Sequence, residues 1–422
     1  MIALVDCNNF YVSCERLFRP DLNNRPVCVL SSNDGCVIAR SQEIKDLGIH
    51  VGAPAYKYKS LFEKHKVTLF STNFPLYGDI SSRVMSVLSD YSDNMEVYSI
   101  DEAFLHIDLY KINYLDYGNE IRERLLKWVG IPTCVGIAET KTLAKLANRI
   151  AKMYPQLNGV HIIDSDEKRE KALKWAKIED IWGIGNKSAE KMRSYGIINA
   201  YDFVARSDYF IRKNLTVVGL RIKRELLGSS CLDVNNQPVS KKSILTSRSF
   251  SSPVKDFDAM MEALASHTFS CALKLRKQSS CAQTIMVFLH TSKHRKDKPQ
   301  YSNYRSMHLD VATNTTNELI VYARSLLEMI FKEGYDYNKV GVMLTNIIPQ
   351  ANIQGNLFDN VDRAKNKKLM KAMDKINSIH GVGNVHMASQ SVNKYKISKQ
   401  ERLSPQYTTR WKDILFVGKK DL

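Results

Sequence analysis

No Cys-x-x-Cys pair occurs among the eight cysteines of the chain, Cys7, Cys14, Cys28, Cys36, Cys134, Cys231, Cys271 and Cys281, and several sit inside apolar runs. That spacing argues against a zinc site or a disulfide framework and points to a reducing compartment. No apolar run approaches the ~18 residues that span a bilayer. The N-terminus, Met-Ile-Ala-Leu-Val-Asp, lacks the basic stretch that opens a secretory signal. Internal repeats and low-complexity tracts are missing as well. The expectation is a soluble, cytoplasmic protein. Acidic residues are in short supply: 44 Asp and Glu stand against 61 Lys and Arg, a net charge of +17. The direct reading of that excess is a polyanionic partner, with nucleic acid first. A basic proteome or a solubility effect is the plain alternative. With 422 residues, 44% of them hydrophobic, the chain can bury real cores. At roughly 100–200 residues per domain it holds two to four of them.

Four segments can be traced. Residues 1–165 mix short apolar strands (2–5, 27–30, 97–100, 104–107 and 133–137) with helices, the last over 141–152. Strand, helix, paired strands, helix, strand is the order of a ferredoxin-like sheet with helices on one face. Residues 12–74 are then an insertion after the first strand. Residues 166–235 are helical and basic. Residues 242–348 alternate helix (259–278, 318–332) and strand (284–290, 306–311, 340–344). The polar stretch 233–242, with Pro238, reads as the hinge before them. Residues 349–422 open with a loop, then a short helix at 367–379 and a polar tail.

Three carboxylates stand out in the first segment: Asp6, Asp101 and Glu102. Asp6 ends an apolar strand, and Asp101-Glu102 sits between two others. In a ferredoxin-like sheet those strands are neighbours, so the acids meet on one rim. Unpaired carboxylates together repel and raise one another's pKa. A hard divalent cation such as Mg²⁺ relieves this and leaves positions for substrate phosphates. Two such ions stabilise both the attacking and the leaving oxygen of a phosphoryl transfer. The backbone carbonyl of Cys7 is placed to complete the shell. Each acid taken alone reads equally as a solvated strand end.

After Asp6 the chain turns from strand to helix through Cys7, Asn8, Asn9 and Phe10. A helix N-terminus offers unpaired N–H groups to a triphosphate. Tyr11, one turn on, stands close to a sugar, where an aromatic blocks a 2′-hydroxyl; an ordinary core tyrosine is the other reading. Lys141, Lys145, Asn148 and Lys152 share one face of the following helix. They read either as triphosphate contacts or as a solvated stripe.

Asp-Cys-Asn-Asn-Phe-Tyr-Val-Ser-Cys-Glu (6–15), Tyr-Ser-Ile-Asp-Glu-Ala-Phe (98–104) and Gly-Ile-Ala-Glu-Thr-Lys-Thr-Leu-Ala-Lys-Leu-Ala-Asn (136–148) resemble Y-family DNA polymerases. Asn-Asp-Gly-Cys-Val-Ile-Ala-Arg (33–40) and Arg-Leu-Ser-Pro-Gln-Tyr-Thr-Thr-Arg (402–410) are similar to the UmuC type in particular. The resemblance covers essentially the whole chain. It implies an α+β right-hand polymerase: ferredoxin-like palm, small fingers (about 12–74), helix–hairpin–helix thumb, α/β little finger and a C-terminal extension. It implies error-prone translesion synthesis in DNA damage tolerance and SOS mutagenesis, adding deoxynucleotides to a primer 3′-hydroxyl by two-metal phosphoryl transfer. The metal ligands would be Asp6, Asp101 and Glu102, with two Mg²⁺ ions for which Mn²⁺ substitutes. Tyr11 would be the steric gate, with Lys45 and Lys152 near the triphosphate. Many members carry Arg where Lys45 sits, and a lysine cannot make the bidentate fork. Many also have an aromatic where Gln42 falls.

In that frame Ile-Trp-Gly-Ile-Gly-Asn-Lys (181–187) reads as a helix–hairpin–helix turn, with Gly183, Gly185 and Lys187 at a DNA phosphate. Arg248 opens the little finger within Ser-Arg-Ser-Phe, and Lys274, Arg276, Lys277 and the run 293–296 add positive charge. Gln354, Leu357 and Phe358 resemble the peptide that docks polymerases on the sliding clamp, although Gly355 replaces the usual leucine. The resemblance further implies a UmuD-type dimer and a recombinase filament as partners, one of them met by residues 365–410, and association with nucleoid DNA. Two other classes compete. A palm-domain nucleotide cyclase is disfavoured by the thumb-like turn, and a catalytically dead DNA-binding scaffold by the intact acids.

Overall fold

The structure, a computed structural model, describes residues 1–107, 112–236, 240–381, 383–390 and 400–415. Pro238 of the expected hinge lies outside them. The chain divides into two compact units, Met1–Pro238 with Gln400–Leu422, and Val239–Lys399. Residues 363–380 therefore count with the second unit and residues 400–415 with the first.

The first unit runs β1 (Ile2–Cys7), α1 (Phe10–Phe18), β2 (Val27–Leu30), β3 (Val37–Arg40), α2 (Gln42–Asp46), α3 (Lys59–Lys64), β4 (Thr68–Ser71), α4 (Phe74–Ser89), β5 (Met95–Val97), β6 (Glu102–His106), α5 (Tyr114–Trp128), β7 (Thr133–Ala138), α6 (Lys141–Met153) and β8 (Val160–Ile163). Its main sheet has the order β5-β6-β1-β7-β8, with β1 antiparallel to both neighbours. Side chains alternate across a strand, so Ala3 and Val5 enter one core while Ile2 and Leu4 enter another. The first core is closed by α1, α4 and α5, the second by α6 and the helices after it. Helices thus cover both faces of the sheet, not the single face expected, because β1 is apolar at every position from Ile2 to Val5 and has no solvent side.

The hairpin carrying the acidic pair is shifted toward the N-terminus from the apolar pattern: its strands are Met95–Val97 and Glu102–His106, where 97–100 and 104–107 were expected. Strand β5 stops at Val97, and Tyr98 and Ser99 both donate their N–H to the Glu102 carbonyl at 3.1 Å. The side chain of Ser99 closes the turn on Asp101. Within the 12–74 insertion, β2, β3 and β4 form a separate three-stranded sheet of order β3-β2-β4.

Four helices follow: α7 (Asp166–Trp175), α8 (Asn186–Ser194), α9 (Ala200–Ala205) and α10 (Asp208–Leu226). Side-chain capping sets the starts of α7, α9 and α10. Ser165 and Ser207 each accept an N–H of the first turn, and Asn199 and Asp202 form a reciprocal capping box. Thr216, at φ 65°, breaks α10.

The second unit is a four-stranded antiparallel sheet of order β11-β10-β12-β9, built from β9 (Ile244–Val254), β10 (Ser280–Thr291), β11 (Ser302–Thr313) and β12 (Tyr337–Pro349). Helices α11 (Phe257–Lys277) and α12 (Thr316–Ile330) pack on it around Leu264, Leu275, Leu319 and Leu327. Strand β9 went unread in the sequence because its serine-rich stretch has no clear apolar alternation. Helix α13 (Arg363–His380) buries Met370 and Met373, and Arg276 holds Asp374 on it at 2.6 and 2.9 Å. Arg276 is therefore committed to a structural ion pair rather than offered as free positive charge.

Candidate active site

Strand pairing puts the acids together. Asp6 at the end of β1 lies directly opposite Glu102 at the start of β6, and the Cys7 N–H donates to the Asp101 carbonyl at 2.9 Å. Like charges facing each other across a strand pair are unfavourable, so this arrangement calls for cations. Lysines supply them here. Lys152 reaches Asp6 at 2.5 Å, and Lys145 reaches both oxygens of Glu102 at 3.0 and 3.2 Å. Asp101 accepts a hydrogen bond from Ser99 at 2.5 Å. Burial pushes the Asp6 carboxyl up to about 7: its desolvation outweighs the Lys152 charge, and Glu102 adds to the rise. Burial, with Asp6 and Asp101, also drives the Cys7 thiol well above its usual range.

As the side chains stand, no three His, Cys, Asp or Glu among the described residues converge as a metal-binding group. The donor chemistry nevertheless fits a hard divalent ion, with the carboxylates of Asp6 and Glu102 on two adjoining strands and lysines as their ion-pair partners.

A cavity of about 310 Å³ opens beside the acids, lined by Asp6, Cys7, Asn9, Phe10, Tyr11, Arg40, Lys45, Asp101 and Lys152, among others. A second, of about 390 Å³, shares Asn9, Lys45 and Lys152 with it and adds Asn8, Gln42 and Arg122. Three cations therefore face two carboxylates across the first cavity, which suits a substrate bearing several phosphates. Lys45 has its pKa lowered by burial and by the nearby Arg40 and Lys152 charges, the condition of a cation that lacks enough counter-charge. Sequence reasoning missed Arg40. Its signal was present, at the end of the 33–40 motif and five residues before Lys45; in the structure its buried Nε has no hydrogen-bond partner among the described residues.

The turn after β1 is tight: Asn9 is left-handed at φ 48°, the Asn8 N–H donates to the Pro132 carbonyl, and Ser13 donates to the Asn8 carbonyl. Phe10 points into the core, 3% exposed. Tyr11 is half-buried, and its ring stacks on Tyr77 with centroids 4.6 Å apart.

The lysine stripe of α6 divides. Lys145 and Lys152 meet acids of the site. Lys141 is buried on Glu96 at 2.5 Å and on the Asp233 carbonyl. Asn148 is buried too, donating to the Cys134 carbonyl at 2.8 Å. Those two fasten the helix and do not face the cavity. Elsewhere, Gly183, Gly185 and Lys187 are exposed just before and at the start of α8, with Gly183 at φ 92° and Gly185 as the helix cap. Arg248 is exposed on β9, opposite Val340. Gln354 is exposed, Leu357 fully so, and Phe358 by 86%. No helix among the described residues is long and apolar enough to cross a membrane.

Residues 5–149 match the impB/mucB/samB family, residues 241–357 match that family's C-terminal domain, and residues 367–417 match a domain of unknown function. The chain is 41% identical to protein UmuC of Salmonella typhimurium, covering 99% of this chain and 100% of that protein. It is 40% identical to protein ImpB of the same organism, covering 98% and 99%, and 25% identical to DNA polymerase IV of Oceanobacillus iheyensis, covering 96% and 95%. A solved Y-family DNA polymerase chimera of Dbh and Dpo4 superposes with a TM-score of 0.65 at 23% identity, covering 83% of this chain and all of that one. With the acids and the basic cavity in one unit, and the likeness running over nearly the whole chain, the chain belongs to the UmuC type of the Y-family DNA polymerases.

Proposed function

We propose that the cavity beside Asp6 and Asp101 is the polymerase active site and that it extends a primer 3′-hydroxyl with deoxynucleotides, including across damaged template. The observation that carries this is the Asp6–Glu102 cross-strand pair, joined by Asp101 and set beside the cations Arg40, Lys45 and Lys152. Asp6, Asp101 and Glu102 would hold two Mg²⁺ ions with the Cys7 carbonyl; such ions, when bound, activate the attacking hydroxyl and stabilise the leaving pyrophosphate. Lys152 stands ready to trade Asp6 for a phosphate oxygen, and Arg40 and Lys45 face the rest of the triphosphate. Tyr11 excludes a 2′-hydroxyl, and Asn8, Asn9 and Phe10 shape the turn beneath the nucleotide.

We assign palm and fingers to residues 1–165, thumb to 166–235, little finger to 242–348 and a partner-binding tail to 349–422. Gly183, Gly185, Lys187 and Arg248 then grip DNA phosphates. Gln354, Leu357 and Phe358 dock the sliding clamp, a role their exposure supports. A UmuD-type dimer or a recombinase filament is assigned to residues 365–410, a reading supported by the exposed Leu369, Ile376 and Ile379 of α13. The protein would work in the cytoplasm, on nucleoid DNA.

The test is primer extension past an abasic site with Mg²⁺ and the accessory subunits. Asp101→Ala is expected to abolish extension while primer-template binding persists. Undiminished extension by that variant would sink the assignment.

A further inference from the structure

Behind Tyr11 lies a buried polar relay that ends in the C-terminal segment. Tyr77 on α4 stacks on Tyr11 with centroids 4.6 Å apart and planes 17° from parallel. Its hydroxyl donates to Glu15 Oε1 at 2.6 Å, and the Ser404 hydroxyl donates to the same oxygen at 3.0 Å. Tyr77 and Glu15 are both fully buried, and Ser404 is 6% exposed. A carboxylate so placed is tolerable only with hydrogen bonds; Tyr77 and Ser404 provide them to Oε1, while Oε2 has no partner among the described residues.

Ser404 is itself held firmly. Asn73, the side-chain cap of α4, donates to the Ser404 carbonyl at 3.0 Å and to its Oγ at 2.9 Å. The Ser71 N–H donates to the Arg402 carbonyl at 2.9 Å, so the segment lies along β4, where Leu403 bridges Ser71. Tyr407 stacks on Phe18 of α1, centroids 4.6 Å apart and 12° from parallel. The segment therefore fastens onto both helices that carry the stacked tyrosines.

Helix α1 needs that support. It has nine residues, and its left-handed N-cap Asn9 makes no side-chain cap. Stacking alone fixes the plane of the Tyr11 ring but lets it slide, and a ring that excludes one hydroxyl tolerates little sliding. The Tyr77 hydroxyl, pinned on Glu15, removes that freedom.

We propose that residues 400–407 act as a clasp that positions Tyr11 through Ser404, Glu15 and Tyr77, and so sets the discrimination between deoxy- and ribonucleotides. These are positioning residues, and the proposal rests on Tyr11 being the sugar gate. It gives a role to part of the region that matches a domain of unknown function.

The experiment is single-nucleotide insertion opposite a template thymine by the full chain with its accessory subunits, comparing kcat/KM for dATP and ATP. Tyr77→Phe, Glu15→Gln and Ser404→Ala are each expected to lower the deoxy-to-ribo ratio by roughly threefold to tenfold, chiefly through faster ATP insertion. Ser404→Thr, which keeps the hydroxyl, restores the ratio. Tyr11→Ala collapses it, and adding Ser404→Ala to Tyr11→Ala lowers it no further. An unchanged ratio in Tyr11→Ala overturns the gate reading. A collapse in Tyr11→Ala with wild-type ratios in Tyr77→Phe and Ser404→Ala overturns the clasp alone. Equal losses with both nucleotides would mean that the segment serves stability only, and would overturn the clasp as well. Tyr77→Phe and Ser404→Ala remove single oxygens, so the comparison stands even if Glu15→Gln fails to fold.

Discussion

Lys152 and Lys145 do at the residue scale what a bound cation would do: they neutralise acids that strand pairing forces together. Other single residues carry separate consequences. His267 on α11 is buried, and its ring is pushed from 6.5 down to about 4, first by burial and then by the Arg248 charge. As pH falls below 6.5 the unfolded chain takes up that proton before the folded one. Stability is therefore full above about 6.5 and lost towards about 4, by at most about 3 kcal/mol. His267→Leu should flatten this loss, read as the difference in thermal midpoint between pH 7 and pH 5. A wild-type slope persisting in the variant would put the sensitivity elsewhere. Gly355 has nothing within 4 Å of where a Cβ would stand, so a leucine fits. Gly355→Leu should tighten the clamp docking proposed for this loop by roughly threefold to tenfold through added apolar area, measured by surface plasmon resonance with the full chain. Unaltered affinity would argue that this loop is not the docking peptide.

At the scale of elements, the approach of α6 to β7 decides where Lys145 and Lys152 stand. A Cβ on Gly136 would lie 2.1 Å from the Asn148 nitrogen and 2.3 Å from the Ala144 carbonyl oxygen, both backbone atoms of α6. Gly136→Ala should therefore cost about 1–3 kcal/mol and push α6 off the sheet. The expected result is a lower melting temperature together with slower extension at temperatures where the variant is still folded. Wild-type kinetics in that variant would show that the lysines do not need this spacing. The elements around the acids were legible in the sequence: β1, β7 and α6 have strong apolar patterns and lie within one or two residues of the expected bounds. The placement of β5 at Met95–Val97, where 97–100 was expected, was not legible, because Val97–Ile100 looks apolar while the turn there is made by hydrogen bonds from Ser99 and to Glu102. Nor was the division of the lysine stripe. Helical spacing says that four residues share a face, but not that Lys141 meets Glu96 and Asn148 meets the sheet.

Over the whole molecule, the net charge of +17 predicts DNA binding governed by counterion release. With six to ten phosphates neutralised, affinity for primer-template DNA should fall by about 10³–10⁵ between 50 and 200 mM salt, read by fluorescence anisotropy. A flat response would detach the charge from DNA binding. By itself the sequence determined the acids, the candidate gate, the basic balance and the family resemblance, because these depend on residue identity and local spacing. Only the tertiary structure decided which lysine faces which acid, that Arg40 lines the cavity, and that Ser404 reaches Glu15 from 389 positions away. Those relations come from strand register and from residues 400–415, which belong to the first unit although the second lies between them in sequence, and local periodicity carries no record of either.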